Sequence, residues 1–394
     1  MIKNSFYLFL LISSSLFSQV YSILDVPLDL KKNANSILLS EKEIVDVSEN
    51  GKLNYKTHRV KIILNKNGNK DIASHVYYNK DTKIKKIDAY VYDAFGNELE
   101  HFKKKDFFDV AAADGISIFS DSRVIYLKYV PTSYPYIVEF TSEIENNSTA
   151  FLPSWYPLGG YNRSTKKSEF VLKFDPNNKP RFKTANLEGF NVSVSENPSK
   201  IICIAENIKA IGYERMSPPF SKIVPNIDFA LNRFTLKGVP GAASNWQEFG
   251  NWMQNSLLLG VDDIPESTIK KIKVLVQNET TNEAKARIVY KYLQEKVRYI
   301  SVQIGIGGWK PMLASDVDKL SYGDCKALTN YTKSLLDAIG IPSYYTVLYA
   351  DETEKDFDKN FSKLEGNHAI LGVPNGDEIT WLECTSQSVP LWLC

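Results

Sequence analysis

The chain has 394 residues, and 47 Lys and Arg against 46 Asp and Glu leave a formal charge of +1. At ~100–200 residues per domain, that length predicts two domains or three. A hydrophobic content of 43% with 24% charged residues excludes a disordered or collagen-like chain. The balanced charge argues against a nucleic-acid-binding surface, which needs excess Lys and Arg.

The chain begins MIKNSFYLFLLISSSLFSQ, where Lys3 precedes an apolar run from Phe6 to Phe17. This is the pattern of a signal peptide over residues 1–18, with cleavage before Gln19. The run falls short of the ~20 apolar residues that span a bilayer. The reading predicts an exported protein, periplasmic or secreted, with no transmembrane segment.

Residues 19–240 read as a β-rich domain. YKTHRVKIIL, KIDAYVYDAFGNEL, PYIVEFTSEI and SEFVLKF are short, rich in β-branched and aromatic residues, and bounded by Asn, Gly, Pro and Asp. Many such strands predict a β-sandwich-like arrangement. The run VPGAAS (239–244) then changes the period, and residues 241–394 form a second, helix-containing domain. Ser244 is the expected cap of its first helix, with further helices over 265–277 and 281–298. The fold class is therefore α+β.

Within SYGDCKALTNYTKSLLDAIG, the residues Leu328, Tyr331, Leu335 and Ile339 recur at helical spacing, Asp324 is the N-cap and Gly340 ends the helix. Cys325 then lies in the first turn, where free N–H groups and the helix dipole favour a thiolate. Downstream, GNHAILGVPNGDEITWLECTS carries Asn375-Gly376 between two β-rich runs. A two-residue turn there would set His368 directly opposite Glu383. The carboxylate would then orient the imidazole. Cysteine, histidine and acid together are what a thiol nucleophile needs.

These stretches (YGDCKALTNYTKSLLDAIGIPSYY, NHAILGVP and WLECTS) resemble the transglutaminase-like, papain-like cysteine superfamily, from about residue 245 to the end. The preceding β-rich region resembles the domain of unknown function that precedes such modules in exported bacterial proteins, especially of the Bacteroidetes. The resemblance implies a papain-like α+β domain with Cys325 as nucleophile, His368 as general base and Glu383 as orienting acid. Glu stands where the superfamily commonly has Asp. Trp309 and Gln303 are weaker candidates for the wall of an acyl site or for oxyanion donors, and Tyr322 for packing at the helix entry.

This chemistry requires no metal and no organic cofactor, and the scattered His58, His75, His101 and His368 lack metal-ligand spacing. Disulfides are permitted among Cys203, Cys325, Cys384 and Cys394, but the spacing is not that of a disulfide framework. The expected substrate is a peptide or protein amide, hydrolysed or transferred through a thioester. The competing reading is an inactive binding or scaffold protein that keeps the fold. The apolar ending VPLWLC reads as a truncated C-terminus.

Overall fold

The structure, a computed structural model, describes residues 21–49, 51–72, 74–112, 117–350 and 355–391. The expected signal peptide and Cys394 lie outside the described residues. The chain is α+β. Its largest element is an eight-stranded sheet in the order Val192–Asn197, Lys200–Ile208, Arg163–Phe174, Ser36–Val47, Leu53–Ile63, Tyr136–Asn146, Thr82–Tyr92 and Glu98–Lys103. Every pairing is antiparallel except Ser36–Val47 with Arg163–Phe174.

Alternation along these strands sends apolar side chains to both faces. Val45, Phe170 and Leu172 face a large core that also takes Trp155, Ile227 and Phe229. The rings of Phe170 and Phe229 stack at 5.0 Å, fixing the short ladder Arg181–Ala185/Asn226–Ala230 over the sheet. Ile37, Val60, Ile62 and Ile137 pack instead under the N-terminal residues Tyr21, Val26 and Leu30. The second layer is thus a set of short ladders, not one sheet matched to the first. Its strands run four or five residues between turn residues, too short to pair across the whole face.

The helix Trp246–Met253 is capped by Asn245, whose side chain accepts from the Glu248 N–H at 2.9 Å. The expected cap, Ser244, instead donates its hydroxyl to the Glu248 carboxylate at 2.8 Å. Asn245 wins because it holds the extended backbone that a cap requires. Phe249 and Trp252 of this helix are buried in the core of the eight-stranded sheet. The change of period near residue 240 is therefore not a change of core.

A second core forms around the helices Glu266–Val276, Asn282–Lys296 and Cys325–Asp337 and the three-stranded sheet Tyr344–Leu348, His368–Asn375 and Glu378–Leu382. Asn282–Lys296 buries Ala286, Val289, Tyr290 and Leu293, one helical face, while Ala284 and Ile288 are only half-buried. Asp318 ties three helices together. It accepts from the Tyr331 hydroxyl at 2.6 Å and the Thr268 hydroxyl at 3.0 Å, and pairs with the Lys296 ammonium at 2.9 Å.

The two cores touch along residues 355–364. Arg181 donates to the Ser362 carbonyl at 2.8 Å, Lys363 pairs with Asp228 at 2.8 Å, and Trp246 stacks on Phe357 at 5.3 Å. The strand Ser301–Gln303 also pairs in parallel with Ser117–Ser120. No helix among the described residues is long and apolar enough to cross a membrane.

Candidate active site

Asp324 starts the cysteine helix. Its Oδ1 accepts from the Ala327 N–H at 2.9 Å, and its Oδ2 takes the Lys326 ammonium at 2.5 Å, both charges being almost wholly buried. Cys325 is the first helical residue, 4% exposed and a free thiol. At the far end Gly340 sits at φ +75°, and the Ile341 N–H returns to the Leu336 carbonyl at 3.0 Å. That is the Schellman closure that a left-handed glycine allows. Leu328, Tyr331 and Leu335 hold the helix in its core.

His368 opens the central strand of the three-stranded sheet and pairs with Leu348 on one side. On the other side the register differs from the expectation. The hairpin closes at Asn375 opposite Glu378, so its two-residue loop is Gly376-Asp377, with Gly376 at φ +64°. A glycine in the first central position of a tight hairpin is the reason for the choice, since that position takes positive φ. Glu383 is therefore not directly opposite His368. The slip moves each partner by two residues, which preserves the face, so the two side chains meet on the diagonal. His368 Nε2 lies 2.8 Å from Glu383 Oε2.

Several residues that the sequence did not single out fix this geometry. The Thr329 hydroxyl, one turn along from Cys325, donates to the Ala369 carbonyl at 3.0 Å and so ties the cysteine helix to the histidine strand. Glu383 Oε1 accepts the Thr385 N–H at 2.9 Å and the Thr385 hydroxyl at 2.5 Å, leaving Oε2 to the imidazole. The Glu383 carbonyl takes the Tyr290 hydroxyl at 2.9 Å. The sequence signal for Thr385 was its place two residues after the acid, a spacing for local side-chain to backbone bonding.

Burial of His368 opposes its charged form, but hydrogen bonds to the Cys325 thiol and to Glu383 outweigh it and raise its pKa to about 9. With Nε2 on Glu383, Nδ1 is the nitrogen left for Cys325. Burial likewise opposes ionisation of Glu383, and the bonds from His368 and Thr385 overcome it and lower its pKa. The buried Tyr345 hydroxyl has its pKa raised well above the usual value, by burial first and then by the nearby Cys325, Asp324 and Cys384. Cys203 is also a buried free thiol, and burial pushes its pKa up to about 12; Cys384 is buried as well.

Trp309 packs beside Phe151, ring centroids 5.3 Å apart, against the core of the large sheet. Gln303 ends the strand paired with Ser120, and Tyr322 is half-buried opposite Arg298 just before the cysteine helix.

Gly372 makes the histidine strand sensitive to volume. A Cβ there would lie 2.9 Å from the Trp381 ring and 3.0 Å from Ile379 on the glutamate strand. Gly372→Ala should cost about 1–3 kcal/mol in a denaturant titration. It should also slow alkylation of Cys325, because it pushes apart the strands that carry His368 and Glu383. Unchanged stability would show that Trp381 gives way freely.

Residues 49–201 match a family described as a domain of unknown function with solved structure, DUF3857. No curated protein matches the chain. A crystal structure of a "putative protease" from Parabacteroides distasonis superposes with a TM-score of 0.63 at 12% identity, covering 91% of this chain and 68% of that one. A "putative cysteine protease" from Cytophaga hutchinsonii covers 85% of this chain and 77% of its own at 10% identity, but its TM-score is 0.24, too low to argue a common fold. Residues 49–201 are thus similar to the DUF3857 family, and the chain shares its fold, at low identity, with a protein named as a protease.

Proposed function

We propose that this protein is an exported cysteine enzyme of transglutaminase-like type that cleaves or transfers peptide or protein amides through a thioester on Cys325. The observation that carries the reading is the chain of contacts from a thiol at a helix N-terminus through His368 to Glu383. With its pKa raised to about 9, the imidazole holds a proton at neutral pH. A helix N-terminus and an imidazolium are the surroundings in which a cysteine acts as a nucleophile.

The thiolate adds to the amide carbonyl. As the C–N bond breaks, His368 passes its proton to the departing amine. Water or a second amine then attacks the thioester, giving its proton back to His368, and the Cys325 sulfur leaves. Glu383, held by Thr385, keeps the ring oriented through both steps. The Trp309 indole and the Gln303 amide make no hydrogen bond among the described residues, and Gln303 or Trp309 would serve the acyl site as wall or oxyanion donor. Hydrolysis and transfer share this site, and the choice between them lies in how water is excluded.

The test is the rate of Cys325 alkylation by iodoacetamide against pH. A thiolate–imidazolium pair predicts rapid labelling at neutral pH, with the ion-pair form lost as pH rises through about 9. Glu383→Gln removes the charge that supports the imidazolium, so that upper limit should move down by about one unit or more. A Cys325 that reacts no faster than a free thiol near neutral pH would sink the reading and leave the inactive binding protein in its place.

The same ionisation affects stability. The folded pKa of His368 lies above its ordinary 6.5, so the contribution is full below about 6.5 and is lost as pH rises through about 9. After allowing for solvent screening it amounts to about 2 kcal/mol. Glu383→Gln should reduce that pH dependence in denaturant titrations between pH 6 and 10, and a slope unchanged in the variant would refute the assignment.

A further inference from the structure

The eight-stranded sheet contains a cavity of about 320 Å³ to which residues 241 onward contribute nothing. Its lining is charged, which is unusual for a site between a sheet and its cover. Three cations, Arg59, Lys61 and Arg163, line it with two carboxylates, Glu41 and Glu43, while Asp71, at the end of the turn Lys66–Asp71, lies outside the lining and meets Arg163 and Lys61 from behind.

These charges are not all matched. Glu41 is fully engaged, with one oxygen on Arg59 and the other accepting from the Ser168 hydroxyl at 3.0 Å. Ser168 is itself fixed by the Trp155 indole N–H at 3.0 Å. Arg163 reaches Asp71 at 2.5 Å, yet its buried Nε–H has no partner among the described residues. Lys61 donates to the Asp71 carbonyl oxygen at 3.0 Å and has no carboxylate within ion-pair distance among the described residues. Glu43 uses only Oε1, which takes the Tyr55 hydroxyl at 2.5 Å and Arg59 at 3.3 Å. Its Oε2 makes no hydrogen bond among the described residues.

Both leftover groups show the cost of burial. Desolvation first, and then Arg59, lower the Lys61 ammonium to about 7; desolvation first, and then Glu41, raise the Glu43 carboxyl to about 7. One end of the cavity therefore holds a cation with no carboxylate partner among the described residues, and the other a carboxylate with one oxygen unengaged beside Arg59. Glu43 pairs with Thr57, four residues before Lys61, so the two ends lie ~13 Å apart along the strand. That span exceeds a free amino acid and suits two or three residues, whose extended backbone advances ~3.3 Å each, once the long side chains lean inward. The volume is at the lower end of small-molecule sites.

We propose that this cavity binds a short zwitterionic peptide, two or three residues with free termini, whose carboxylate meets Lys61 and Arg163 and whose ammonium meets Glu43. Tyr55, Arg59, Lys61 and Arg163 fall within the DUF3857 match, and Glu43 lies just before it.

The experiment is calorimetric titration of the full chain carrying Cys325→Ala, which prevents turnover, with Ala-Ala and Ala-Ala-Ala. The same peptides are then titrated N-acetylated or C-amidated, with free L-alanine as the short control. The expected result is binding of the free-ended peptides, each blocking group weakening it by about tenfold or more, and weaker binding of alanine. Lys61→Met should abolish discrimination against the amide, and Glu43→Gln discrimination against the acetyl group, the second being nearly isosteric should the first fail to fold. No binding up to about 10 mM would overturn the proposal. So would equal affinity for blocked peptides, or discrimination unchanged in both variants, which would place the peptide elsewhere, as in the Cys325 cleft. Because the cavity shares no residue with Cys325, failure of either site leaves the other standing.

Discussion

Cys325→Ala is expected to lower amide hydrolysis or transfer by about four orders of magnitude or more, because removing the sulfur removes the covalent route itself. The same variant should fold normally. Cys325 is the first helical residue, its backbone N–H has no intrahelical partner to lose, and alanine is the best helix former. The loss of one buried sulfur should cost no more than about 1–2 kcal/mol. The comparison variant is His368→Gln, which keeps a hydrogen-bonding side chain but cannot accept and return the proton. It should lose most of the rate and also the rapid alkylation at neutral pH. Turnover of peptide amides and acyl transfer to an added amine, measured on one preparation, would register both outcomes. If Cys325→Ala retained wild-type turnover on a substrate that the protein cleaves, the nucleophile would have to be another group.

How much of this site was legible in the sequence depends on how local its physics is. The cap, the cysteine and the glycine of the cysteine helix could be read because each obeys a rule spanning a few residues: Asp324 before the first turn, Leu328, Tyr331 and Leu335 on one face, Gly340 at the end. The His368–Glu383 contact was also foreseen, but through a turn placed one residue early, at Asn375-Gly376 instead of Gly376-Asp377. The face survived because side chains alternate with period two and the slip changed each pairing by two residues. A slip that changed each pairing by one would have separated the two groups. What could not be read is long-range. Thr329 reaching Ala369, Tyr290 reaching the Glu383 carbonyl, and Phe249 and Trp252 joining the core of the large sheet each depend on segments brought together only by folding. The charged cavity was hidden for the same reason. KTHRVKIIL reads as a half-buried strand with a solvated polar face, and only the cover formed by residues 154–165 turns Arg59 and Lys61 inward.

The second large effect concerns Asp324, which performs two tasks with its two oxygens. Oδ1 caps the helix at Ala327, and Oδ2 neutralises the Lys326 ammonium, which is 7% exposed. Asp324→Ala should therefore lose the cap, about 1 kcal/mol, and strand a buried cation, about 3–5 kcal/mol. The two tasks can be separated. Asp324→Asn keeps a good capping oxygen and removes only the charge, so it should lose about 3 kcal/mol and retain the helix start. Adding Lys326→Met to Asp324→Asn removes the stranded cation and should recover most of that loss, a non-additivity of about 2 kcal/mol or more between neighbours. Denaturant titration of the parent, Asp324→Asn, Lys326→Met and the double variant gives this cycle directly, and iodoacetamide labelling follows the cysteine in each and in Asp324→Ala. Because Cys325 lies between the two charges in sequence and takes its place from the cap, Asp324→Ala should slow labelling more than Asp324→Asn does. Equal stability of Asp324→Ala and the parent would mean that Lys326 escapes to water when its partner goes, and that the helix start does not depend on Asp324. Equal labelling of the two Asp324 variants would mean that the cap does not set the position of the thiol.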